Sequence, residues 1–159
     1  GVDAMIVAIV DERRTRELRR VVLRPHLRPD DPLPGDELAD GVHFGAVDDV
    51  GTVLGTCFVY RDPCPWQPAR SGAWRLRQMA TAEAQRGRGI GRAVLETASA
   101  YVAAQGGLLL WCNARERAVP FYRHHGFAAY GDLFIDGHHV IPHQRMWREL
   151  GGRPGPSTD

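Results

Sequence analysis

The chain contains no lysine: all 20 basic side chains are arginine, set against 19 acidic ones for a net charge of +1. That absence excludes the Gly-x-x-x-x-Gly-Lys-Ser/Thr phosphate loop, whose chemistry needs the ammonium group. Near-balance of charge gives no sign of a nucleic-acid or membrane-surface protein, so no nucleic-acid or membrane partner is expected. So many arginines beside so many acids read as compositional bias, with the guanidinium groups in solvent. Cysteine is scarce too. Cys57, Cys64 and Cys112 cannot all pair within one chain and lack Cys-x-x-Cys spacing, which argues against a disulfide framework or a thiolate zinc site. Nor does any apolar run approach the ~20 residues of a bilayer span, and no charged stretch precedes a signal-type apolar segment. A reducing, cytoplasmic setting is the expectation.

What remains is 159 residues with 43% hydrophobic content, enough for one domain with one core over residues 1–150 and a flexible tail over 151–159. Residues 5–10 (Met-Ile-Val-Ala-Ile-Val) predict a buried strand and 11–23 a helix whose inner stripe is Leu18, Val21 and Val22. Arg13, Arg14, Arg16, Arg19 and Arg20 belong to its solvated face, because Glu12 and Glu17 break up any basic surface an RNA would use. Pro25, Pro29, Pro32, Pro34 and Gly35 forbid long regular elements over 24–41, leaving a shaped loop with a short helix at 36–39. Residues 42–47 and 53–60 are apolar, β-rich runs on either side of Asp48-Asp49-Val50-Gly51-Thr52, the pattern of an antiparallel hairpin. Residues 61–72 are interrupted again by Pro63, Pro65 and Pro68.

The informative half starts at Trp74. Residues 74–81 alternate apolar and polar side chains like a half-buried strand, then run into Gln85-Arg86-Gly87-Arg88-Gly89-Ile90-Gly91. Ile90, Val94, Leu95, Ala98, Tyr101 and Val102 follow at helical spacing up to Gly106-Gly107, and residues 108–112 (Leu-Leu-Leu-Trp-Cys) read as a strand buried on both faces. The order strand, glycine turn, helix, strand makes a right-handed βαβ unit. Glycines let a ligand approach the backbone, and the free N–H groups of a first helical turn, with the helix dipole, attract phosphate oxygens. The spacing is not Gly-x-Gly-x-x-Gly with an acidic residue ~20 positions on, so it departs from the dinucleotide fingerprint.

The segment Arg86-Gly87-Arg88-Gly89-Ile90-Gly91 resembles the Arg/Gln-x-x-Gly-x-Gly/Ala hallmark of the GNAT superfamily. Residues 113–127, with Asn113, Ala118, Phe121-Tyr122 and Gly126-Phe127, resemble a second family segment placed directly after the next strand. The resemblance is clear over 74–127 and holds only in outline over 5–60. It implies an α/β fold with a mixed, mostly antiparallel sheet of six to seven strands, splayed in the middle and flanked by about four helices. It further implies an N-acetyltransferase that uses acetyl-CoA as co-substrate and transfers the acetyl group directly to a small-molecule or peptide primary amine in a ternary complex. The backbone of Arg86, Gly87, Arg88, Gly89, Ile90 and Gly91 then holds the pyrophosphate. Main-chain groups of Met79 and Thr81 pair with the pantetheine arm, Asn113 hydrogen-bonds that arm, and Tyr122 is the catalytic acid for the departing thiolate. Taken alone, Asn113 also suits a helix N-cap and Tyr122 an aromatic packing cluster.

A base for the amine is harder to place, since relatives use a carboxylate on the strand before the glycine loop and this strand offers Arg75 and Arg77. His43, Glu83, Asp132, Asp136 and His143 are candidates, as is a chain of waters. His138, His139 and His143 do not make a metal site, because strand alternation puts His138 opposite His139 and no fourth ligand is evident, so none is expected. Cys57 and Cys112 read as core residues and Cys64, between two prolines, as exposed. A non-catalytic CoA-binding module and a modifier of RNA-bound aminoacyl groups are the alternatives, and a homodimer through the final strands is compatible with such a fold.

Overall fold

The structure, a computed structural model, describes residues 4–33, 40–135 and 141–151. The short helix expected at 36–39, the tail beyond Gly151, and Asp136, His138 and His139 lie outside these residues. The elements are β1 (Ile6–Val10), α1 (Glu12–Leu23), β2 (Val42–Val47), β3 (Val53–Arg61), β4 (Ala73–Thr81), α2 (Ile90–Ala104), β5 (Leu109–Arg115), α3 (Val119–His124), β6 (Ala128–Ile135) and β7 (Pro142–Glu149). The sheet order is β1-β2-β3-β4-β5-β7-β6. Pairing is antiparallel for β1 with β2, β2 with β3, β5 with β7 and β6 with β7, and parallel for β4 with β5. The expected mixed, mostly antiparallel sheet is therefore present with seven strands. Three α-helices occur among the described residues, where about four were expected. Residues 24–33 turn rather than coil, with Leu27 N–H on Arg24 O and Asp31 N–H on Arg28 O at 3.0 Å each, because their prolines cannot continue a helical ladder.

Two compact units make up the chain, Gly1–Arg61 with Leu76–Tyr101 and Asp62–Arg75 with Val102–Asp159. In the first, Asp11 caps α1 by accepting the Arg13 N–H at 2.8 Å, and Glu12 in the opening turn suits the helix dipole. The helix closes on Arg24 N–H to Arg20 O, where Pro25 follows. β1 is not the buried strand its composition predicts: it pairs with β2 alone, and Ile6 and Ile9 are 67% and 59% exposed. The inner stripe of α1 also differs from expectation. Val21 is half exposed, whereas Thr15 and Arg19 are buried and Arg16 and Arg20 half-buried, so of the five arginines expected on the solvated face Arg13 and Arg14 are the exposed ones. In the hairpin, Asp48 Oδ1 accepts the Val50 and Thr52 N–H groups at 3.1 and 2.8 Å, and Gly51 takes φ +89 to close the turn.

α2 seats Ile90, Val94, Leu95 and Ala98 in the core, each 1% exposed or less. Gly55 of β3 lies directly beneath. A Cβ there would come within 2.5 Å of Ile90 Cγ2 and 3.6 Å of Val94 Cγ2, so the first turn of α2 reaches its position only over a glycine. Gly55→Ala is expected to overpack this contact and cost about 1–3 kcal/mol, read as a lowered denaturation midpoint. An unchanged midpoint would show that Ile90 relaxes freely.

In the second unit Leu109, Leu110, Trp111 and Cys112 are all buried as a continuous apolar run predicts, while Leu108 stays 45% exposed ahead of the strand. Their parallel ladder to β4 is short, running from Ala73↔Leu109 to Arg75↔Trp111. Cys64, Ala73, Leu109 and Trp111 form a core against which Trp66 and Trp147 pack. Cys64 is thus buried rather than exposed, and Trp66 packs on this core. β6 forms the sheet edge beside β7 and carries Asp132. Gly131, at φ +72, sits in a break of register between Tyr130 and Phe134, and the Gln144 amide donates to the carbonyls of Tyr130 and Gly131 at 3.0 and 2.9 Å.

Candidate active site

At the end of β4 the Ala82 N–H still donates to Leu54 O at 2.8 Å. A 3-10 turn at Glu83–Gln85 follows, with Gln85 N–H on Ala82 O at 2.9 Å and Arg86 N–H on Glu83 O at 3.3 Å. The ladder of α2 opens with Ala93 N–H on Gly89 O at 3.0 Å, so the N–H groups of Ile90, Gly91 and Arg92 have no acceptor within the helix. Gly87 and Gly89 hold φ of +82 and +79, and a Cβ on either would meet no atom within 4 Å. The main chain from Arg86 to Gly89 is therefore exposed and bare, while Ile90, 1% exposed, anchors the end of the turn in the core. Unsatisfied N–H groups, the positive end of a 15-residue helix and open backbone make this turn able to hold an anion.

Just upstream, β4 carries Met79 and Thr81, both half-buried. Gln78 precedes them with φ +59 and is the only non-glycine residue at positive φ among those described. A left-handed residue inside a strand kinks it and turns the following peptide groups. The alternating pattern of residues 74–81 carries no trace of this kink.

In the second unit Asn113 lies within β5, opposite Arg145 of β7, and is not a helix cap: the N-cap of α3 is Ala118. Its Oδ1 is buried without a hydrogen-bond partner, an acceptor that a ligand N–H would satisfy. Tyr122 is 5% exposed on α3, its ring edge-on to Phe121 and Phe127 at 5.2 Å each. Both the packing and the polar roles foreseen for it are thus compatible, because its hydroxyl shares a hydrogen bond with the Cys112 thiol. Burial pushes that thiol up to about 12, with the Arg75 charge and the Tyr122 bond opposing only in part. Burial raises Cys57 and Cys64 as well. All three thiols are buried and shifted away from the thiolate, which argues against a nucleophilic role for any of them. A thiol-exchange reagent is expected to find no fast-reacting cysteine in the folded protein and three after denaturation; a fast native thiol would contradict the burial.

The candidate bases are less distinctive. The His43 ring stacks on Phe58 at 4.2 Å, and His143, 6% exposed, donates from Nδ1 to Ile141 O at 2.8 Å. Glu83 and Asp132 are exposed. Arg75 lies over the Trp111 ring at 4.7 Å and 3.9 Å from Asp62. Among the described residues no three His, Cys, Asp or Glu side chains group as metal ligands, and no helix is long and apolar enough to cross a membrane.

A mixed sheet whose fourth strand feeds a bare glycine turn and a helix N-terminus defines a class of α/β protein built to hold an anionic ligand on its backbone. Residues 39–129 match the sequence profile of the acetyltransferase (GNAT) domain. The chain is 28% identical over 144 residues to the uncharacterized N-acetyltransferase YitI of Bacillus subtilis (strain 168), covering 88% of this chain and 95% of that protein. An aminoglycoside 6'-N-acetyltransferase complexed with coenzyme A superposes with a TM-score of 0.73 at 14% identity, over 94% of this chain and 99% of that one. The IAA acetyltransferase from Bacillus cereus ATCC 14579 gives 0.70 at 16% identity, over 92% and 99%. These two structures speak to the fold. The chain belongs to the GNAT acetyltransferase family, and as such is an N-acetyltransferase with acetyl-CoA as co-substrate.

Proposed function

We propose that the chain transfers the acetyl group of acetyl-CoA directly to a primary amine, of a small molecule or a peptide, in a ternary complex. The observation that carries this reading is the turn from Arg86 to Gly91, where unpartnered helix N–H groups stand behind a backbone that two left-handed glycines keep bare. The pyrophosphate binds there, with the exposed Arg86 and Arg88 adding positive charge. Main-chain groups of Met79 and Thr81 take the pantetheine arm as an added strand. The orphan Oδ1 of Asn113 accepts an amide N–H of the same arm.

In the chemical step the amine nitrogen attacks the thioester carbonyl carbon, the C–S bond breaks, and the thiolate leaves with the electron pair. The Tyr122 hydroxyl supplies the proton that turns it into a thiol. The amine sheds its own proton to water. His43→Gln, Glu83→Gln and Asp132→Asn are accordingly each expected to lose no more than about tenfold in kcat; a larger loss in one of them would identify a dedicated base.

The test is release of free CoA thiol from acetyl-CoA across a panel of primary amines, with mass spectrometry of both amine and protein. Amine-dependent release with an acetylated amine supports the reading. Acetylated protein as an obligatory intermediate contradicts direct transfer, and tight binding without release on any amine would favour a CoA-binding module.

A further inference from the structure

One buried cation of this chain has no part in the chemistry above. Arg19, 2% exposed on α1, donates from Nε to Thr15 Oγ1 at 2.9 Å, from Nη2 to Glu12 Oε2, and from Nη1 to Gln78 Oε1 at 2.9 Å. The Thr15 hydroxyl in turn donates to Glu12 O at 2.7 Å, and Glu12 also receives Arg16 Nη1 at 3.1 Å. Burying a guanidinium is unfavourable unless its donors are met, and an apolar side chain would fill the inner face of α1 without that penalty. What the arginine adds is the reach to β4.

The residue it reaches is the kinked one. Gln78 holds φ +59, a conformation that any residue bearing a Cβ disfavours by roughly tenfold or more relative to the right-handed region. A residue in that state persists only where surrounding contacts over-determine it. The bond from Arg19 is such a contact, and the residues that follow the kink are Met79, Ala80 and Thr81, with Ala80 buried at 3%.

We propose that Arg19 is a positioning residue for acyl-CoA binding: its Nη1 bond to Gln78 holds the left-handed kink of β4 that presents the main-chain groups of Met79 and Thr81 to the pantetheine arm. The proposal rests on the assignment of Met79 and Thr81 to that arm. Arginine suits the task where lysine does not, because its planar fork bonds Thr15, Glu12 and Gln78 at once, whereas an ammonium is a single point charge.

The experiment measures binding of CoA and of adenosine 3′-phosphate 5′-diphosphate, the part of CoA without the pantetheine arm, to the full chain and to variants at positions 19 and 78. Arg19→Met is expected to weaken CoA about tenfold, the loss of a bond to a charged donor, and to leave the armless nucleotide unchanged. Adding Gln78→Gly to Arg19→Met is expected to restore CoA binding, since glycine takes φ near +59 unaided. Arg19→Lys, which keeps a cation against Glu12, serves if the methionine variant does not fold. Gln78→Ala against Gln78→Gly gives a second reading, because both variants strip the same acceptor from Arg19 and differ only in the Cβ: alanine weakens CoA and glycine does not. Equal loss of both ligands in the Arg19 variants, or no recovery with glycine, would overturn the positioning role. If the unaltered chain binds CoA no more tightly than the armless nucleotide, the assignment of Met79 and Thr81 falls instead.

Discussion

Tyr122→Phe is expected to lower kcat about a hundredfold or more while leaving the affinity for acetyl-CoA nearly unchanged. The substitution keeps the ring that packs against Phe121 and Phe127 and removes only the hydroxyl, which hydrogen-bonds with the Cys112 thiol among its contacts. A thiol is a weak hydrogen-bonding group that tolerates loss of that bond, so stability changes little, of the order of 1 kcal/mol. An interaction made only as the C–S bond breaks shows in kcat and not in ground-state binding. If turnover is unaffected, the hydroxyl is packing polarity and the thiolate finds its proton in water.

The second large effect is in binding. Gly89→Val places a β-branched side chain at φ +79, which the turn cannot keep without about 1–2 kcal/mol of strain. The side chain also covers the backbone that the pyrophosphate needs, removing charge-assisted bonds worth about 1.5–3 kcal/mol. The lost bonds predict acetyl-CoA affinity lower by up to roughly a hundredfold, while the strain, present with or without ligand, falls on folding stability. Because a Cβ at this position meets no neighbouring atom, folding stability is expected to fall by no more than the backbone strain. Large destabilisation with intact affinity would mean that the glycine serves the fold rather than the ligand.

The turn was legible in the sequence because its determinants are local. Two glycines, a helical stripe beginning at Ile90 and an apolar run after Gly107 lie within one short segment, and each reports its own conformation. β6 was not legible: at the sheet edge its side chains are largely exposed, so it carries no alternation, and Gly131 reads as a loop. β1 misled in the opposite sense, because isoleucine and valine mark a strand whether or not it is covered. Arg19 and Gln78 stayed hidden for a third reason. They are 59 positions apart, and a charge count cannot separate an arginine of α1 buried against β4 from the exposed Arg13 and Arg14. Asn113 shows how structure sharpens a reading left open by sequence: its place inside β5 excludes the helix cap, and its orphan oxygen supports the ligand contact.

The central claim, that the turn from Arg86 to Gly91 holds the pyrophosphate of acetyl-CoA, is tested most directly by calorimetric titration of acetyl-CoA into the unaltered chain and into Gly89→Val. Saturable one-site binding to the first, weakened by up to roughly a hundredfold in the second, is the result this account predicts. No binding to the unaltered chain, or equal affinity in both, would contradict it.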